Sequence, residues 1–82
     1  MRELIERLEK ATGSDNSLDV EIEVALFEPD AETIGARANS AGSKVIYTLA
    51  DGTEVTYRAA DWSIARNKQR TLAVLRAKED SA

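Results

Sequence analysis

Val45-Ile46-Tyr47-Thr48-Leu49-Ala50-Asp51-Gly52-Thr53-Glu54-Val55-Thr56-Tyr57 is the stretch on which the fold turns. Two runs rich in β-branched and aromatic residues flank Asp51-Gly52, which is the pattern of a β-hairpin over about 44–58. Register follows from the faces. A two-residue Asp-Gly turn pairs Leu49 with Glu54 and Tyr47 with Thr56, mixing apolar and polar side chains on both faces. A three-residue loop, Ala50-Asp51-Gly52, with glycine in the left-handed bulge position, pairs Tyr47 with Val55 and Val45 with Tyr57. One face then holds Val45, Tyr47, Leu49, Val55 and Tyr57, and the other is mostly Thr48, Glu54, Thr56 and Arg58. A slip of one residue would destroy that separation, so the three-residue loop is the expected one.

An apolar face on a two-stranded hairpin needs a cover, and the following residues offer one. Asp61 stands where an N-cap belongs for a long C-terminal helix from about Trp62 to Lys78. Ile64, Ala65, Leu72 and Leu75 supply its buried stripe, with Trp62 closing one end of the core. Arg76 and Lys78 complement the helix dipole at its C-terminal end.

On the N-terminal side, residues 2–12 read as a short amphipathic helix with Leu4, Ile5, Leu8 and Ala11 on one face, stopped near Gly13. Residues 18–26 support two readings. Leu18, Val20, Ile22, Val24 and Leu26 alternate with Asp19, Glu21 and Glu23 as in a strand. Leu18, Ile22, Ala25 and Leu26 also fit a helix capped by Asn16 or Ser17. In that helix Val20 and Val24 form a second apolar stripe that needs a contact of its own, in the fold or in a dimer seam. Residues 28–43 are weakly patterned: Pro29 opens a turn of helix with Ala31, Ile34 and Ala38 on one face, and Asn39–Ser43 is a loop. The whole reads as one α+β domain, residues 1–82, with two short N-terminal helices, the hairpin and the long C-terminal helix.

Composition narrows function by exclusion. Among 82 residues there is no cysteine and no histidine, so thiolate zinc sites, thiol nucleophiles and imidazole bases are all removed. Carboxylates abound, but none sits in a catalytic motif, and Asp15–Glu23 lacks the glycine and terminal glutamate of an EF-hand loop. No phosphate-cradling glycine loop is present. Neither an enzyme, nor a metal site, nor a bound cofactor is expected. No apolar run approaches the ~20 residues of a membrane span, and Met1–Glu6 is too acidic for a targeting signal, so a cytoplasmic setting is expected.

Charge is distributed unevenly. Residues 1–43 carry ten acids against four bases, residues 44–82 five acids against seven bases, for a net charge of −4. Between Asp15 and Glu32 stand seven carboxylates (Asp15, Asp19, Glu21, Glu23, Glu28, Asp30 and Glu32) and no Lys or Arg. This stretch is either a solvated face or a surface for a basic partner, where carboxylates roughly 5–7 Å apart on a helix match phosphate spacing along a DNA strand. Arg66, Lys68 and Arg70 on the last helix are either its exposed face or a phosphate-contacting patch, with Trp62, Tyr47 or Tyr57 available to stack bases. The overall acidity makes direct nucleic-acid binding the weaker reading. In a third reading the acidic and basic halves pair with one another, within a monomer or across a homodimer.

Leu4-Ile5-Glu6-Arg7-Leu8-Glu9-Lys10-Ala11-Thr12-Gly13, then Leu18-Asp19-Val20-Glu21-Ile22 and Ala25-Leu26, resemble the opening of small proteins encoded by alphaproteobacterial phages and prophages. Thr71–Ala77 is similar to their closing helix, so the likeness covers about a third of the chain. It implies a helix at 18–26. A small acidic phage-encoded domain without catalytic machinery also resembles, as a class, the anti-CRISPR proteins, and among them the type I inhibitors. That likeness implies stoichiometric binding to a CRISPR surveillance complex in the bacterial host cell, blocking its DNA-binding surface through Asp15–Glu32. A small phage regulator acting through Arg66, Lys68 and Arg70, and a phage accessory or structural domain, are the alternatives.

Overall fold

A computed structural model describes residues 1–81. Helices α1 (Arg2–Lys10) and α2 (Asn16–Leu26) precede an antiparallel sheet of β1 (Thr33–Ala38), β2 (Val45–Leu49) and β3 (Glu54–Tyr57), in that spatial order. A 3-10 turn at Ala65–Asn67 leads into α3 (Lys68–Asp80). The architecture is α+β as expected, with one strand more than the hairpin alone.

The hairpin has the register argued from its faces: Val45 opposite Tyr57, Tyr47 opposite Val55. Leu49 and Thr53 close the three-residue loop through a 2.8 Å backbone hydrogen bond, and Gly52 takes the left-handed conformation at φ +88°. Asp51 Oδ1 accepts from the Thr53 N–H, fixing the turn.

Residues 16–26 are helical. Asp15, rather than Asn16 or Ser17, is the N-cap, its Oδ1 accepting from the Leu18 N–H at 3.1 Å. Leu18 and Ile22 pack with Ile5, Leu8, Leu72 and Leu75 between the three helices. Val20, on the opposite side of α2, is fully buried against Val45 and Ala59, with Val24, Ala36 and Tyr47 around them. The second apolar stripe therefore finds its contact inside the fold, against the sheet, and not in a dimer seam. A helix buried on two sides is apolar on two sides, which is why its sequence also alternates like a strand.

Residues 33–38 form a strand, not the helical turn expected after Pro29. Asp30 makes the difference: its Oδ1 accepts from both the Glu32 and Thr33 N–H groups at 2.8 Å, and its own N–H donates to the Thr33 carbonyl. That tight turn aims the chain along the edge of β2. A register shift between Thr33 and Gly35 leaves Ile34 bulged and exposed, while Ala36 and Ala38 pair with Tyr47 and Val45 on the inner face. Small side chains there let α2 lie close to the sheet.

The last helix starts later than expected. Asp61 does not cap it; its carboxylate faces Arg58 at 3.7 Å. Residues 59–64 instead run as an irregular strap against α2, and Asn67 Nδ2 donates to the Asp61 carbonyl at 2.8 Å as the chain turns into α3. Leu72 and Leu75 are buried as read from the sequence, whereas Ile64 is half-buried and Ala65 exposed. Nor does Gly13 end α1. Ala11 turns to extended backbone there, and Lys68 Nζ donates to the Glu9 and Ala11 carbonyls at 2.9 and 2.8 Å, satisfying groups the helix leaves open.

Candidate functional site

Folding divides the seven carboxylates of Asp15–Glu32 into two groups. Three hold the scaffold: exposed Asp15, buried Asp19 and half-buried Glu23. Asp15 caps α2, and its N–H donates to Ser63 Oγ at 2.7 Å. Asp19, only 4% exposed, accepts from the Ser63 N–H at 2.7 Å. Glu23, one turn further on, accepts from the Ala60 N–H and Trp62 Nε1 at 3.0 and 3.1 Å on one oxygen, and from the Tyr47 hydroxyl on the other. Asp19 and Glu23 therefore hold the 59–64 strap and β2 against α2. Their inclusion in an exposed partner-binding face is corrected by this placement. The donors come from residues 24 to 44 positions away, which no local pattern reveals.

The other four carboxylates face solvent. Glu21 pairs with Arg7 across the α1–α2 surface, and Glu28 pairs with Lys78 at 2.8 Å. Glu28, Asp30 and Glu32 sit on the exposed loop between α2 and β1. Hydrogen bonding and the positive charge of Lys78 lower the Glu28 carboxyl below its usual range. Backbone N–H donors, Thr33 first and Glu32 second, lower Asp30 likewise. Both are anions at neutral pH.

Beside this loop lies a feature that sequence reading missed. Helix α2 ends at Leu26 and covers the part of the inner sheet face around Val45, Ala36 and Tyr47. Toward the hairpin turn, Phe27, Asp30, Thr33, Tyr47, Leu49, Val55 and Tyr57 line an open groove of about 370 Å³. Tyr47 stands between the other two rings, with centroids 5.9 Å from Phe27 and 6.1 Å from Tyr57, both tilted. Tyr57 is 59% exposed. The hairpin alternation placed four of these residues on one face, but not the absence of a cover. Desolvation, followed by the neighbouring Glu23, pushes the Tyr47 hydroxyl up to about 12, so it stays a hydrogen-bond donor.

The basic trio separates. Arg66 and Arg70 are exposed, while Lys68 is half-buried and occupied with the carbonyls at the end of α1. Trp62 is half-buried against the helical core, and its Nε1 donates to Glu23. Ion pairs join the two halves of the chain instead: Glu9 with Arg76 at 2.7 Å, and Glu28 with Lys78. The reading in which acidic and basic halves pair within one molecule is realised in these contacts.

Among the described residues no group of three or more His, Cys, Asp or Glu side chains is arranged to hold a metal ion, and no helix is long and apolar enough to cross a membrane. No family model, curated protein or solved structure matches the chain.

Proposed function

We propose that this chain acts by stoichiometric binding rather than catalysis, presenting the acidic loop Glu28–Glu32 to a basic protein surface. The class likeness to anti-CRISPR proteins makes that partner a CRISPR surveillance complex in the cytoplasm of a bacterial host, and the consequence of binding a block of its DNA-binding channel. The supporting observation is the loop itself: three carboxylates on five residues, exposed, with Asp30 fixing the backbone through its own hydrogen bonds. Such an anionic element on a rigid scaffold complements a groove built to hold phosphates, gaining association rate as well as affinity. Of the residues first grouped as one acidic face, Glu28, Asp30, Glu32 and Glu21 carry this role, and Asp15, Asp19 and Glu23 hold the scaffold. The alternative of a nucleic-acid regulator is weakened because Lys68 is engaged with α1, leaving Arg66 and Arg70 of its three cations.

The test is inhibition of DNA binding by a purified type I surveillance complex. A Glu28→Gln, Asp30→Asn, Glu32→Gln variant removes three charges while asparagine keeps the Oδ1 acceptor of the turn. Loss of inhibition with an unchanged circular dichroism spectrum is the expected result. Undiminished inhibition by the neutral loop would remove the acidic mechanism.

A further inference from the structure

The open end of the inner sheet face gathers three aromatic rings and a carboxylate from three separate segments: Phe27 and Asp30 after α2, Tyr47 on β2, and Tyr57 on β3. Leu49 and Val55 complete the wall, and no Lys or Arg is among the lining residues. Aromatic faces carry negative potential, so rings beside an unneutralised carboxylate attract a cation. Asp30 keeps one oxygen for that purpose: both of its backbone donors fall on Oδ1, and Oδ2 accepts neither. Glu32 on the same loop, and the net charge of −4, reinforce the sign of the field. An anion would be repelled here, and an uncharged aliphatic chain would pack on the rings, Leu49 and Val55 but leave the Asp30 carboxylate unpaired. A planar guanidinium uses everything present, because it stacks on rings, pairs with carboxylates and is more weakly hydrated than an ammonium.

We propose that this groove receives an arginine side chain of the partner protein, stacked against Tyr57 and its neighbouring rings and paired with Asp30. The inference rests on the binding role proposed above in taking the partner to be a basic protein, and it assigns the aromatic groove as the element that gives that contact its specificity. Glu28 and Glu32 then steer the encounter, while Tyr57 and Asp30 anchor one residue.

The experiment is a titration of the intact chain, followed by NMR of its aromatic and methyl groups, with a Gly-Ser peptide carrying a single central arginine. Matched peptides replace that residue by lysine, citrulline or norleucine. Saturable shifts confined to Phe27, Tyr47, Leu49, Val55 and Tyr57 are expected with arginine, weaker ones with lysine, and none with citrulline. Tyr57→Ala should weaken arginine binding by about two- to fivefold, the size of one exposed cation–π contact. Asp30→Asn, which preserves the turn, should weaken it by a similar factor. Equal binding of the norleucine peptide would overturn the proposal in favour of a purely apolar site, and so would the absence of ring shifts with arginine. Ring shifts that move on dilution without peptide would assign the groove to a second copy of the chain and also overturn it. Because the titration needs no surveillance complex, the two proposals fail separately. Peptide capture without inhibition of that complex retains the groove and removes that partner. Inhibition without peptide capture removes the groove and retains the acidic loop.

Discussion

Asp19 and Glu23 are two residues with similar neighbours in the sequence and very different work from Glu21 between them. On a helix, positions 19 and 23 fall on one side and 21 nearly opposite. The side holding 19 and 23 meets the backbone of Ala60 and Ser63, whose N–H groups need acceptors once water is excluded. Asp19→Ala should therefore cost about 1–3 kcal/mol, the penalty of leaving the Ser63 N–H unpaired in a buried site. Asp19→Lys should cost more than Asp19→Ala, since it removes the acceptor of the Ser63 N–H and forces a long ammonium side chain into a buried site, a large loss against a total stability of only ~5–15 kcal/mol. Glu21→Lys, on the exposed side, should fall within about 1 kcal/mol of the parent. Urea denaturation checks all three, and an Asp19→Lys protein as stable as Asp19→Ala would contradict the burial argument. Tyr47 gives a prediction in pH. Its folded value, pushed up to about 12, lies above the usual 10, so the unfolded chain loses the proton first. The folded state then binds more protons, and stability must fall as pH rises between about 10 and 12. Tyr47→Phe should flatten that part of the profile relative to the parent, at a cost of about 1 kcal/mol at neutral pH for the lost hydrogen bond to Glu23.

Elements were legible in proportion to how far their own residues determined them. The hairpin could be registered from sequence because its two faces differ in chemistry and its turn needs a left-handed residue, which Gly52 supplies. Gly52→Ala should cost about 1–2 kcal/mol for holding a side chain in that conformation, read as a lowered denaturation midpoint. Helix α2 was ambiguous because it is apolar toward the other helices and toward the sheet, so its period of 3.6 is overwritten. Strand β1 was missed for the opposite reason. Gly35, Ala36 and Ala38 have little strand propensity, and its direction is set by a side-chain turn at Asp30 and by β2, not by its own residues. The cap assigned to Asp61 failed because the strap holding Trp62 and Ser63 uses bonds to α2 that only the tertiary structure supplies. Lys68 belongs to the same class: it reads as part of a basic patch and is in fact the cap of a distant helix. Lys68→Ala should cost about 1 kcal/mol, as capping losses do, whereas Arg66→Ala and Arg70→Ala should lie within about 0.5 kcal/mol of the parent. Equal effects at all three would mean that the contact with α1 contributes nothing.

Across the whole molecule, the polarity of the chain survives folding only in part. Of the six ion pairs among the described residues, four cross between the halves, and two of these, Glu9 with Arg76 and Glu28 with Lys78, bring cations of the C-terminal half onto carboxylates of the N-terminal one. All six are solvent-accessible, and such pairs are worth about 0–1 kcal/mol each, less when salt screens them. The fold should accordingly be held by its two apolar clusters, with charge left for interaction. Salt separates those two roles. Raising NaCl from about 0.05 to about 1 M shrinks the screening length from more than 10 Å to roughly 3 Å. Over that range the free energy of unfolding should change by less than about 2 kcal/mol, since Leu8, Leu18, Ile22, Leu75, Val20 and Val45 are unaffected or strengthened. Association with a basic surface should slow by an order of magnitude or more, because steering acts across solvent where screening is greatest. The neutral-loop variant, lacking the charges of Glu28, Asp30 and Glu32, should show a slower association at low salt and a flatter dependence, together with a faster dissociation from the loss of the Asp30 contact. Stopped-flow association alongside urea titrations at each salt concentration measures both quantities on one preparation. A fold that loses several kcal/mol in high salt would instead make the ion pairs structural, and the acidic loop would then be part of the scaffold and not its working surface.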